Sequence, residues 1–120
     1  MARRPILIVE DDEDLVSCLS ALLEEEGHPV ITARTGDDSL AACDQDPALV
    51  LIDLHIPGVL TGEALVEALR ARLDPSVRML LLSGEHDLAR RAARLHVDGY
   101  LAKPFAADEL LRAVEEHARH

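Results

Sequence analysis

Three short apolar runs, each ending in charged residues, constrain the fold of this chain more than any other feature. Ala48-Leu49-Val50-Leu51-Ile52 ends in Asp53, Ile6-Leu7-Ile8-Val9 runs into Glu10-Asp11-Asp12, and Gly99-Tyr100-Leu101-Ala102 runs into Lys103-Pro104. Uninterrupted apolar stretches of this kind read as strands of a parallel sheet covered on both faces. Ligands of such sheets bind just beyond the carboxyl ends of the strands. Lying side by side, the three runs would gather several carboxylates and one ammonium into a single crevice.

Strand-like and helix-like patterns alternate along the whole chain. Residues 5–10 read as a first strand. Leu15, Leu19, Leu22 and Leu23 then mark a helix over 13–26, with Gly27 as its stop. Val30 to Ala33 is a less apolar strand, as suits a sheet edge. Asp37-Asp38 followed by Leu40 to Cys43 predicts a second helix that ends before Pro47. The third strand spans 48–53, and after a Pro57- and Gly58-containing loop Ala64, Leu65, Ala68 and Leu69 mark a third helix. A fourth strand over 77–82, an arginine-rich helix over 86–95, a fifth strand over 99–102 and a helix over 107–118 complete the series; Leu110, Leu111 and Val114 share a face of that last helix. This alternation predicts an α/β fold, a doubly wound parallel sheet with helices on both faces and right-handed crossovers.

Composition narrows the possible functions. A chain of 120 residues, 48% of them hydrophobic, suits one packed domain over 1–120. Its 12 basic and 23 acidic residues give a net charge of -11, which repels nucleic acid phosphates and argues against direct nucleic acid binding. No apolar stretch approaches the roughly 20 residues that cross a bilayer. Met1-Ala2-Arg3-Arg4-Pro5 leads into only a short apolar run, unlike a signal peptide, so a cytoplasmic location without membrane association is expected. Cys18 and Cys43 fall within helical patterns and are expected as buried free thiols. The six histidines lack metal-ligand spacing.

The charges at the strand ends suggest phosphoryl chemistry. Carboxylates brought together from different strands repel and resist full ionisation. A cation relieves the repulsion, and an all-oxygen, partly open ligand set suits Mg2+, which takes one or two carboxylates together with a phosphate. Asp53 is then a candidate nucleophile that carries the phosphoryl group covalently, with Lys103 as the ammonium that neutralises its oxygens. Ser83, ending the fourth strand, could donate its hydroxyl to a phosphoryl oxygen. The acidic residues from Glu10 to Asp14 also suit simple capping of the following helix.

Four segments together resemble the receiver domain of the two-component response regulators: Ile6-Leu7-Ile8-Val9-Glu10-Asp11-Asp12, Leu51-Ile52-Asp53-Leu54-His55-Ile56-Pro57, Leu81-Leu82-Ser83-Gly84 and Gly99-Tyr100-Leu101-Ala102-Lys103-Pro104-Phe105. The resemblance implies a flavodoxin-like, five-stranded sheet of order 2-1-3-4-5. It implies a signalling switch, not a turnover enzyme, that accepts a phosphoryl group on Asp53 from a phosphohistidine of a sensor kinase or phosphotransfer protein. Mg2+ would be held by Asp11 directly, by Glu10 through water, by Asp53 and by the backbone carbonyl of His55; a shift of one residue would pass the acidic pair's roles to Asp11 and Asp12. Lys103 would contact the phosphoryl group, and the Lys103-Pro104 bond would be cis.

The same resemblance makes Ser83 and Tyr100 the switch pair and places the responsive surface on the fourth helix, fifth strand and fifth helix. That surface would meet a downstream effector or a second copy in a homodimer. The fourth helix carries Arg90, Arg91 and Arg94, a basic patch that reads either as a solvated face or as a dock for an acidic partner. By the same resemblance, His55 and Glu85 would occupy the two variable positions that in this family help set the phosphoryl group's lifetime. Gly62 stands one residue farther from Asp53 than the family's usual glycine, serine replaces the more usual threonine at 83, and Asp98-Gly99-Tyr100 lacks the paired aspartates of the winged-helix subgroup. Two other readings compete. One is a pseudo-receiver that docks partners constitutively. The other is a haloacid-dehalogenase-type phosphatase, for which Asp53-Leu54-His55 lacks the second carboxylate.

Overall fold

The computed structural model describes residues 3–118, so Met1, Ala2, Arg119 and His120 lie outside it. The chain alternates β1 (Ile6–Val9), α1 (Glu13–Glu25), β2 (Val30–Ala33), α2 (Gly36–Ala42), β3 (Leu49–Asp53), α3 (Gly62–Arg72), β4 (Arg78–Ser83), α4 (Leu88–Leu95), β5 (Gly99–Ala102) and α5 (Ala107–Ala118). All the strand pairings are parallel, in the order β2-β1-β3-β4-β5, as expected. β1, β3 and β4 are interior strands. Their side chains are buried on both faces apart from Arg78 at the start of β4, which is why they read as unbroken apolar runs.

Alternate residues of those strands feed two separate cores. Leu7, Val9, Val50, Ile52 and Leu81 pack with Leu65 and Leu69 of α3 and with Ala92 and Leu95 of α4. Ile6, Ile8, Leu49, Leu51, Leu80 and Leu82 pack on the opposite face with Leu19 and Leu23 of α1 and Leu110 and Val114 of α5. The side-chain alternation of a strand thus divides each run between two helical layers. β2 is partly exposed, in keeping with its edge position.

The boundaries shift by a residue or two from those the sequence suggests. The largest shift is at α4, which begins at Leu88, because Asp87 adopts a left-handed conformation (φ 59°) that breaks the helical run. Gly27 (φ +89°) follows α1 as its stop, with its amide donating to the Glu24 carbonyl. The expectation of two buried thiols holds for Cys43 alone. Cys18 is exposed, because Leu19 and Leu23 turn the inward face of α1 away from it. Burial pushes the Cys43 thiol pKa up, and its Sγ donates to the Ser39 carbonyl at 3.4 Å.

The loop after β3 folds back against the start of α2. Thr35 caps α2, its Oγ1 accepting from the Asp38 amide at 3.1 Å, and the next residue, Gly36, faces the backbone of Leu60. A Cβ added at Gly36 would stand 2.3 Å from the Leu60 carbonyl oxygen. Neither backbone can yield as a side chain would. Gly36→Ala is therefore expected to destabilise the domain by roughly 1–3 kcal/mol, read as a lowered urea midpoint. Gly99→Ala gives the contrast, because its Cβ would meet the Leu80 side-chain terminus at 2.9 Å, and that group can move.

Candidate functional site

The carboxyl ends of β1, β3 and β5 converge on the crevice that the sequence suggests. Glu10, immediately after β1, is 1% exposed, and Asp53, the last residue of β3, is 6% exposed. Lys103 follows β5 and reaches across both. Its Nζ donates to Glu10 Oε1 at 2.6 Å and to Asp53 Oδ2 at 3.1 Å. One carboxylate oxygen each from Glu10, Asp11 and Asp53 lies within 4.8 Å of the others. The Lys103-Pro104 bond is cis, as expected.

Backbone amides orient the two buried acids. Glu10 Oε2 accepts from the amides of Asp11 (3.1 Å) and Asp12 (3.3 Å), and Asp53 Oδ1 accepts from the amide of His55 (2.9 Å). Burial raises the pKa of Glu10, opposed by the Lys103 hydrogen bond and reinforced by the charge on Asp53. Burial alone would lower that of Lys103, but its hydrogen bonds to Glu10 and Asp53 and their charges outweigh it and hold the ammonium above its ordinary range. The crevice is thus an anionic cluster held together by one cation.

Asp12 plays a different part from its two neighbours. Its Oδ1 accepts from the amides of Asp14 (3.0 Å) and Leu15 (3.2 Å), which makes it the N-cap of α1. The cluster of carboxylates therefore uses Glu10 and Asp11, and the capping function of this acidic run falls to Asp12.

Ser83 ends β4 beside Asp53, in a register that pairs Asp53 with Leu82. It is buried, and its Oγ accepts from the Glu85 amide at 3.1 Å. Tyr100, in β5, is 47% exposed. The imidazole of His55 is largely exposed but not idle, because Nε2 lies 2.8 Å from Glu85 Oε1. Glu85 Oε2 in turn lies 3.5 Å from Arg91 Nη1 in α4. The sequence marks Arg91 only as part of a basic patch; its link to Glu85 depends on a β4–α4 turn that no local pattern specifies.

A five-stranded 2-1-3-4-5 sheet with this charge cluster at its carboxyl edge has counterparts among known proteins. The response regulator receiver domain family matches residues 6–115. The chain belongs to that family. The receiver is 31% identical over 107 residues to the response regulator SaeR of Staphylococcus aureus, covering 88% of this chain and 46% of SaeR. It thus spans about half the length of that relative. The chemotaxis protein CheY4 of Vibrio cholerae has the same architecture (TM-score 0.84, 26% identity, 97% of this chain and 99% of that one). So does the receiver domain of the sensor histidine kinase PA1611 of Pseudomonas aeruginosa, solved with a magnesium ion coordinated in its active-site cleft (TM-score 0.84, 25% identity, 98% of each chain). Membership makes the domain a phosphorylation-dependent signalling module of two-component systems. None of the helices among the described residues is long and apolar enough to cross a membrane.

Proposed function

We propose that this receiver takes a phosphoryl group onto Asp53 from a phosphohistidine of a sensor kinase or phosphotransfer protein. The observation that carries the reading is the convergence of Glu10, Asp11 and Asp53 within 4.8 Å, with the Lys103 ammonium 3.1 Å from Asp53 Oδ2. A carboxylate oxygen of Asp53 bonds to phosphorus as the imidazole P–N bond breaks, and the released ring takes up a proton from solvent. Lys103 neutralises charge on the transferred group. The Ser83 hydroxyl, whose oxygen already accepts from the Glu85 amide, keeps its proton to donate to a phosphoryl oxygen.

The donor set fits Mg2+. It offers hard oxygen ligands only, with the carboxylates clustered and mutually repelling. Asp11 and Asp53 would hold it directly, Glu10 through water, and the His55 carbonyl would be the remaining protein ligand; the magnesium in the active-site cleft of the PA1611 receiver supports Mg2+ as the cation. Bound there, Mg2+ supplies positive charge against the phosphoryl oxygens.

Phosphorylation then biases two conformations already available to the domain. Ser83 moves toward the phosphoryl group, and Tyr100, now half exposed, turns into the space it leaves. The altered surface of α4, β5 and α5 is read by a downstream effector or a second copy. Acetyl phosphate tests the first step. One phosphoryl group per chain, dependent on Mg2+ and seen by intact mass, is expected; unmodified protein or continuous multiple-turnover phosphate release contradicts the reading.

The lifetime of that group depends on His55 and Glu85 at the mouth of the crevice. The imidazole, held at 2.8 Å by Glu85, screens Asp53 from attacking water. His55→Asn is expected to shorten the lifetime several-fold, followed as loss of phosphorylated mass after the phosphodonor is removed. A wild-type decay faster than that of the variant would show that the imidazole does not shield.

A further inference from the structure

The His55–Glu85 pair is held from a third side, by a residue of α4. Both Glu85 oxygens are engaged, Oε1 with His55 Nε2 at 2.8 Å and Oε2 with Arg91 Nη1 at 3.5 Å, while the Glu85 amide donates to Ser83 Oγ. His55 closes the chain back to the proposed phosphoacceptor, its own amide donating to Asp53 Oδ1 at 2.9 Å. A continuous series of contacts therefore runs from Asp53 through His55 and Glu85 to Arg91.

The ends of α4 give that series its weight. At the C-terminal end, Arg70 of α3 donates to the carbonyls of Leu95 and His96 and anchors the last turn. At the N-terminal end, Asp87 sits in a left-handed conformation, makes no side-chain capping bond, and is followed by a first turn without acidic residues. Arg91 lies one turn into the helix, its amide bonded to the Asp87 carbonyl. Its contact with Glu85 is the ion pair, among the described residues, that ties the first turns of α4 to the crevice. Partly exposed on both sides, it is also an interaction that salt weakens.

We propose that Arg91 is a positioning residue for phosphoryl-group lifetime. It acts through Glu85 to hold the His55 imidazole in place next to the crevice, and so couples the position of α4 to the rate of hydrolysis. The proposal rests on Asp53 being the phosphoacceptor. It assigns to a helix residue outside the crevice a control over water that the two residues at its mouth exert directly. With Arg91 removed, Glu85 keeps one anchor instead of two and becomes mobile enough to release the imidazole or to orient a water itself.

Decay of the acetyl-phosphate-labelled protein tests this through a double-mutant cycle. Arg91→Ala is expected to speed dephosphorylation roughly two- to fivefold, the range that partly exposed ion pairs support. Arg91→Lys should restore most of the lifetime. In a Glu85→Ala background, Arg91→Ala should change nothing further, and added salt should speed decay of the wild type more than that of Arg91→Ala. Equal acceleration by Arg91→Ala with and without Glu85, or no acceleration in either, would overturn the proposal while leaving the phosphoacceptor intact. Failure of the wild type to accept a phosphoryl group would instead overturn the reading on which it stands. Unchanged urea midpoints for the Arg91 variants would separate positioning from general loss of structure.

Discussion

Asp53→Asn abolishes Mg2+-dependent modification by acetyl phosphate, with no residual labelling of the chain expected by intact mass. The substitution preserves shape and most of the local bonding. The amide oxygen can still accept from the His55 amide, as Oδ1 does at 2.9 Å, while the amide nitrogen cannot accept from Lys103 as Oδ2 does at 3.1 Å. What disappears is the anionic oxygen that must form the bond to phosphorus, and a carboxamide is too weak a nucleophile to replace it. One of the three clustered carboxylates disappears as well, so Mg2+ affinity is expected to fall in the same variant. The two losses can be separated. Beryllium fluoride binding depends on the carboxylate and the metal together, whereas Mg2+ titration in the absence of phosphodonor reports the metal alone. Modification that persisted in Asp53→Asn would place the phosphoryl group on another residue.

The legible part of this molecule is the part that polarity alone encodes. β1, β3 and β5 and the chemistry at their ends can be found because apolar runs give way abruptly to Glu10, Asp53 and Lys103. The helices against the sheet can be found because Leu19 and Leu23, Leu65 and Leu69, and Leu110 and Val114 recur at helical spacing. The exposure of Cys18 is illegible for a related reason. A cysteine is not polar enough to mark itself as outward-facing, and only the placement of Leu19 shows which way α1 is turned.

The remaining features depend on backbone conformation or on side-chain reach between distant segments. The late start of α4 follows from a left-handed Asp87, which an acidic residue tolerates but does not announce. The division of labour within Glu10-Asp11-Asp12 is settled by the direction in which each side chain leaves the turn, so a carboxylate that belongs to the crevice and one that caps a helix look alike in sequence. The contacts of Glu85 with His55 and Arg91 join residues from the β3 loop, the β4 loop and α4. The close approach of Gly36 to Leu60 is a backbone-to-backbone contact with the loop whose extra residue is visible in the sequence. That extra length indicates a different path for the loop without indicating where it leads.

Lys103→Met is expected to have the largest effect on stability, and the effect should depend on both pH and Mg2+. Methionine keeps much of the length and apolar stem of lysine but removes the ammonium that bridges Glu10 and Asp53. Both carboxylates are nearly inaccessible, so removing their common partner leaves uncompensated buried charge. The full cost of breaking such a pair is about 3–5 kcal/mol, and the partial exposure of the lysine side chain (26%) reduces it to roughly 2–3 kcal/mol at neutral pH without Mg2+. The sign of the pH dependence follows from Glu10. Its folded pKa is already raised, chiefly by burial and against the opposing pull of Lys103, so losing that pull raises it further. A carboxyl group with a raised folded pKa binds its proton more tightly in the folded state. Its contribution favours folding at low pH and is lost as pH rises through the interval from the ordinary carboxylate value to the raised one. Lys103 has the same sign in a higher interval, since its stabilisation is complete below its unfolded pKa and is lost only as pH rises through its raised folded value. The wild-type advantage should therefore be large at pH 7 to 8 and narrow as the solution is acidified toward the carboxylate range. Millimolar Mg2+ should narrow it at neutral pH as well, because a divalent cation bound among the same carboxylates would supply the missing positive charge. Urea midpoints of wild type and Lys103→Met at acidic and neutral pH, each with EDTA and with Mg2+, give the four comparisons. A deficit that stayed constant across them would mean that lysine contributes through the packing of its stem and not through the charge it places between Glu10 and Asp53.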